Sequence, residues 1–126
     1  MDRFAIIVLV LAALGFLGFG AWLLVDPVGG LGRVGIGSLN PAGTIELRAF
    51  YGGLEVGLAI FLLACAFQPE WREPGLWLVL LVNLAIGLAR VYGIVTTGVF
   101  TAFFAGALVW EFGFPLLAWL ALRRLE

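Results

Sequence analysis

Four long apolar runs divide this chain: Phe4–Val25, Ile45–Phe67, Gly75–Val95 and Phe100–Leu122. A helix crosses the hydrocarbon core of a bilayer with about 20 apolar residues, and each run has that length. The breaks between them carry stop and start signals. Asp26-Pro27 ends the first run, Pro69 follows the second, and Glu73-Pro74 opens the third with proline in the tolerated first turn. Thr44 is placed to cap the second helix, which would put Glu46 in the positive end of its dipole. The stretch Thr96-Thr97-Gly98-Val99 is short enough to make the last two spans an antiparallel hairpin. The pattern predicts an all-α integral membrane protein, a four-transmembrane-helix antiparallel bundle, as one membrane domain over residues 1–126. The spans are expected near 4–25, 45–67, 75–95 and 100–122, with a glycine-rich outer loop over 26–43.

The polar exceptions inside these runs stand out more than the runs. Glu46, Arg48, Glu55, Arg90 and Glu111 are charged positions in otherwise apolar segments. A charge at the centre of a bilayer helix costs roughly 2.5–3.5 kcal/mol on insertion scales. Leaving Arg48, Glu55, Arg90 and Glu111 facing lipid would cost on the order of 10 kcal/mol, as much as a small domain's whole stability. These groups must face one another, face water or neutralise.

Depth and facing point to one shared interior. Glu55 and Glu111 fall ten and eleven residues into their spans, near the midplane. Arg90 and Arg48, in the outer halves of their spans, lie within a side chain's reach of that level at about 1.5 Å per residue, and Asn83 lies on the inner half of the third span. Arg48, Tyr51, Gly52 and Glu55 follow i, i+3, i+4, i+7 spacing, one stripe of an α-helix. Asn83, Gly87 and Arg90 form a second stripe. Glu111 shares a third with Phe104, Ala107, Leu108 and Pro115. Pro115 cannot donate to the Glu111 carbonyl, so one position supplies both a carboxyl and a freed backbone acceptor. Gly52, Gly53 and Gly57 would let helices approach closely. Trp22, Trp71, Trp77 and Trp119 sit near span ends, as an interfacial belt requires, whereas Tyr51 and Trp110 lie deeper, beside the carboxylates.

Composition narrows the chemistry. The chain is 63% apolar with a mean hydropathy of +1.15 and a net charge of −1, so nothing favours a nucleic-acid partner. Histidine is absent, which removes His-ligated haem, His-ligated zinc and His general-base catalysis. Cys65, the single cysteine, cannot cycle between dithiol and disulfide within one chain and reads as a small buried apolar residue. No catalytic set, metal site or cofactor is expected. Two carboxyls and Tyr51 could serve acid–base chemistry on a lipid, but no nucleophile–base pair accompanies them.

The first run follows Arg3, as a signal peptide's apolar core does, but it exceeds an h-region and ends without an A-x-A pattern, so it reads as a retained helix. Gly30, Gly32 and Gly35 spell G-x-G-x-x-G, a phosphate signature only after a strand. Here a membrane helix precedes it, and the loop reads as a flexible or partly ordered cap. Arg3, Arg72, Arg123 and Arg124 bias one side, which places both termini in the cytoplasm by the positive-inside rule.

The segment Glu46-Leu-Arg48-Ala-Phe-Tyr51-Gly52-Gly53-Leu-Glu55, the Asn83–Arg90 stripe and four short spans resemble an uncharacterised bacterial family of four-helix membrane proteins, a domain of unknown function akin to the DoxX-like group. The likeness runs from Thr44 onward. It implies a four-helix antiparallel bundle in the bacterial inner membrane and a quinone-linked, lipid-linked or accessory role. It carries over no substrate and no catalytic residue. Small multidrug exporters resemble the chain in length, but place a working Glu in the first helix, where Phe4–Val25 has no charge.

Three functional classes follow. In the leading one, Arg48, Tyr51, Glu55, Asn83, Arg90, Trp110 and Glu111 bind the head of a lipophilic small molecule, a quinone, isoprenoid or lipid. In the second, Glu55 or Glu111 carries the proton of a small-solute transporter. In the third, the chain is an accessory subunit that docks a partner, another membrane protein or a second copy, through Ala13, Gly15, Gly18 and Gly20. Against all three stands a plain stabilising network in which Arg48 and Arg90 neutralise the two glutamates.

Overall fold

The computed structural model describes residues 3–126. Among them the chain is all-α and contains no strand. In chain order the elements are α1 (Arg3–Val25), α2 (Pro27–Arg33), α3 (Pro41–Leu47), a π-helical turn (Arg48–Gly53), α4 (Leu54–Phe67), a 3-10 turn (Pro69–Trp71), α5 (Arg72–Thr97) and α6 (Ala102–Leu125). Four helical stretches are long and apolar enough to cross a membrane: Arg3–Val25, Pro41–Phe67, Pro69–Thr97 and Ala102–Leu125. The fold class read from the sequence is the one the chain adopts.

Most boundaries moved outward because the caps lie outside the apolar runs, whereas the last helix starts later than expected, at Ala102, behind its cap Thr101. The second helical stretch begins at Pro41, and its N-cap is Asn40, whose Oδ1 accepts from Gly43 N at 2.6 Å. Thr44 is therefore inside the helix, where its hydroxyl donates to the Asn40 carbonyl, and Glu46 is beyond the first turn. The expected outer loop is also partly helical. Asp26 Oδ1 accepts from Gly29 N at 3.1 Å and caps α2, which opens with Pro27. Gly30, Gly32 and Gly35 follow a helix, so the strand that a phosphate loop needs is missing among the described residues.

The described chain divides into two compact units, one formed by residues 3–9 and 65–126 and the other by residues 10–64. In the first unit, α5 and α6 form a hairpin. Gly98 ends α5 in the left-handed region (φ 74°), and Thr101 caps α6 by accepting from Phe104 N at 3.1 Å. Leu76, Val79, Asn83 and Gly87 make the buried stripe of α5. Phe114, Pro115, Ala118, Ala121 and Leu122 make that of α6. Gly75 admits Cys65 and Leu9 so closely that an added Cβ would lie 2.6 Å from the Cys65 Cβ. Cys65 is buried, as a small apolar residue would be.

In the second unit, the C-terminal half of α1 packs against the π turn and the start of α4. A Cβ added at Gly20 would stand 3.0 Å from the Gly52 carbonyl oxygen, Val56 N and Glu55 Cβ. Gly52 meets Leu24 in the same way, whereas Gly53 and Gly57 face open space. Ala13 and Gly20 are buried, so this part of the small-residue face of α1 is already used inside the chain.

Candidate functional site

The site begins with three residues of one helix face. Asn83, Gly87 and Arg90 follow one another at four- and three-residue steps on α5. Gly87 has no side chain, so α6 comes in against it: an added Cβ would sit 3.1 Å from Glu111 Cβ and 3.0 Å from the Phe112 ring. Helical side chains lean toward the helix N-terminus. Arg90 therefore leans back to the level of Gly87, where Glu111 stands on the antiparallel partner. Arg90 Nε donates to Glu111 Oε1 at 2.8 Å, and Nη2 donates to Oε2 at 2.7 Å. This is a fork-on-fork salt bridge, the strong geometry for a guanidinium and a carboxylate. The Glu111 side chain is 8% exposed and that of Arg90 24%. Phe103 and Phe104 bring their rings within 5.7 and 5.5 Å of the guanidinium carbon, close enough for cation–π attraction.

A groove of about 310 Å³ runs from this pair toward the hairpin turn, at the small end of ligand-pocket sizes. Its lining is Arg90, Gly93, Ile94, Thr97, Val99 and Phe104. The Thr97 hydroxyl is engaged locally, donating to the Gly93 carbonyl at 2.7 Å and accepting from Val99 N at 3.2 Å. Arg90 is thus the one charged group on an otherwise mostly apolar wall.

The seven sequence-predicted residues have different fates. Arg90 and Glu111 come together as expected of a carboxylate and an arginine at one depth. Asn83 is buried but turns back on its own helix, its Nδ2 donating to the Val79 carbonyl at 2.8 Å. Trp110 packs on Phe114, ring centroids 4.2 Å apart. In the other unit, Tyr51 is 37% exposed and meets Phe19 edge-on at 6.5 Å. Glu55 lies at the Gly20 approach, and its Oε2 is buried with no hydrogen-bond partner.

Two expectations fail here. Arg48 is exposed and forms no ion pair among the described residues, so it does not neutralise a glutamate. The i, i+3, i+4, i+7 stripe from Arg48 to Glu55 is also broken. The π turn spans Arg48–Gly53 and closes i→i+5 bonds, which shifts the angular positions of the residues before Glu55. Gly93, Ile94, Thr97 and Val99 of the groove are not among the residues the sequence offers as a site, and it offers Phe104 only as a member of the Glu111 face. Their signal was the hairpin itself, because folding the chain at Gly98 brings Phe104 back alongside the last two turns of α5.

A family model described as Domain of unknown function (DUF4345) matches residues 4–122. No curated protein and no solved structure matches the chain. The chain belongs to the DUF4345 family.

Proposed function

We propose that this DUF4345 protein binds a lipophilic small molecule within the membrane, with the Arg90–Glu111 pair at the head-group end and the hairpin groove holding the start of the apolar tail. One observation carries the reading. A bidentate ion pair opens onto a groove of about 310 Å³ whose other walls are largely apolar. Polar groups that fix orientation beside apolar walls are what small-molecule sites consist of. The groove is too small for a whole isoprenoid or acyl chain, so the tail continues into the surrounding hydrocarbon. Quinones, isoprenoids and lipids fit that outline, and the same proposal includes kinship with the DoxX-like group. The same proposal places the chain in a bacterial inner membrane with both termini cytoplasmic. Asn83 and Trp110, in the same unit, enter it as positions to be substituted alongside Arg90.

The test is extraction and mass spectrometry of the protein purified in mild detergent. An elongated ligand should co-purify near stoichiometry and be lost from Val99→Trp, which fills the groove without touching the ion pair. Recovery of bulk phospholipid only, unchanged by Val99→Trp, would remove the reading.

A second reading, proton-coupled transport, rests on the partnerless Glu55 Oε2. A buried carboxyl oxygen without a donor is costly, and a carboxyl that cycles between protonation states is one use of that cost. Vesicles containing the protein should then show a pH-driven solute flux that Glu55→Gln abolishes. Equal flux from both proteins eliminates it.

A further inference from the structure

We infer that the π turn at Arg48–Gly53 turns Arg48 out to the bilayer surface, where its guanidinium holds the phosphate of a membrane phospholipid. This site lies in the second unit and does not depend on the Arg90 groove. Its depth is set by α1. Gly20 meets Glu55 and Val56 while Leu24 meets Gly52, so α1 and this segment run antiparallel. Leu24 is the second-last residue of α1, and Asp26 follows as the cap of α2. Arg48, about one turn before Gly52, therefore reaches the level at which the apolar α1 gives way to Asp26. Helical side chains lean toward the helix N-terminus, which here carries the guanidinium further outward. Trp22 and Tyr51 are partly exposed at the same end and both touch the Phe19 ring, as amphipathic rings do at head-group depth.

Facing is set by the turn. A regular α-helix would put Arg48 on the stripe of Glu55, which α1 covers at Gly20. The i→i+5 bonding of the π turn breaks that alignment, and Arg48 is exposed. No hydrogen bond or ion pair joins its side chain to another described residue. Asp26 is committed to the α2 cap. Glu46 stands two residues before Arg48, a spacing that does not face it, and Glu55 lies deeper. The unit's other charge, Arg33, is a cation. A guanidinium at this boundary without a protein counter-charge draws an anion, and each phospholipid brings a phosphate to that depth, an acceptor that fits the guanidinium fork. Phe50 and Leu54, both exposed, offer apolar surface just deeper for the acyl chains.

The experiment uses the full chain in mild detergent with traces of two photoreactive probes. One is a phosphatidylglycerol with a diazirine on the acyl carbon nearest the glycerol, and the other is the diacylglycerol with the same chains and no phosphate. Crosslinks are mapped by mass spectrometry. Phosphatidylglycerol should label residues 45–54 about tenfold more than diacylglycerol. Arg48→Gln, which removes no contact within the described chain, should erase that preference. Deleting Phe50 should erase it too, because Arg48 is kept but swings by about 100°; if that variant does not fold, Arg48→Gln decides alone. Equal labelling by the two probes in the native protein, or a preference that survives Arg48→Gln, overturns the phosphate site. A preference that survives in the folded Phe50 deletion overturns the role of the π turn. Inorganic phosphate in place of chloride, at equal ionic strength, should not compete. Competition would mean that Arg48 takes a free anion, and the lipid assignment would fall.

Discussion

Breaking the Arg90–Glu111 bridge tests the best-defined contact in the molecule. Two unit charges about 4 Å apart attract by about 4 kcal/mol at an effective dielectric of 20. Removing one partner of a buried pair costs about 3–5 kcal/mol, because the other is left uncompensated. Glu111 is nearly sealed but Arg90 is a quarter exposed, so water or a lipid head group recovers part of the loss and the lower end applies. Glu111→Leu and Arg90→Leu should each destabilise by about 3 kcal/mol. The double variant, with no charge left to desolvate, should fall within about 1 kcal/mol of native. Arg90→Lys should lie between, since an ammonium cannot reproduce the two-pronged fork. Reversible unfolding of the detergent-solubilised protein gives all four corners of the cycle, and a coupling energy of about 2 kcal/mol or more is expected. Single variants within about 0.5 kcal/mol of native that add without coupling would show that the pair behaves as an exposed surface contact, and the energetic account would be wrong.

Three further outcomes follow from the packing. Gly20→Ala should cost about 1–3 kcal/mol, because its Cβ would press on the backbone at Gly52 and Val56; Gly18→Ala, which meets open space, should be neutral or stabilising, and thermal unfolding compares the two. Deleting Phe50 from the π turn should be tolerated, since losing one residue there restores α-helical bonding, whereas deleting Ile60 from α4 rotates one side of the helix by about 100° against the other and should abolish folded expression. Thr101→Ala should cost about 1 kcal/mol through loss of the α6 cap, and Gly98→Ala about 1–2 kcal/mol through its left-handed backbone, both read as shifts in unfolding midpoint.

The sequence alone determined the four membrane-length helices, because an apolar run of that length has few other ways to satisfy its backbone. It also determined the Asn83–Gly87–Arg90 face and the level at which Arg90 and Glu111 could meet, since helical rise and a short turn fix both by arithmetic. Burial of Cys65 follows from side-chain chemistry alone. Helix starts were less legible: Asn40 and Asp26 lie in polar stretches, where hydropathy has no edge to report.

The tertiary structure decided which polar groups found partners. Glu111 has Arg90 because Gly87 lets α6 approach; Asn83 took its own helix's carbonyl instead, a choice between acceptors that spacing cannot rank. The π turn at Arg48–Gly53 belongs to this second kind of fact. It depends on i→i+5 bonding and on the close fit of Gly52 to Leu24 and of Gly20 to Gly52, and a uniform 3.6-residue period read through that segment assigns Arg48 to a face that it does not occupy.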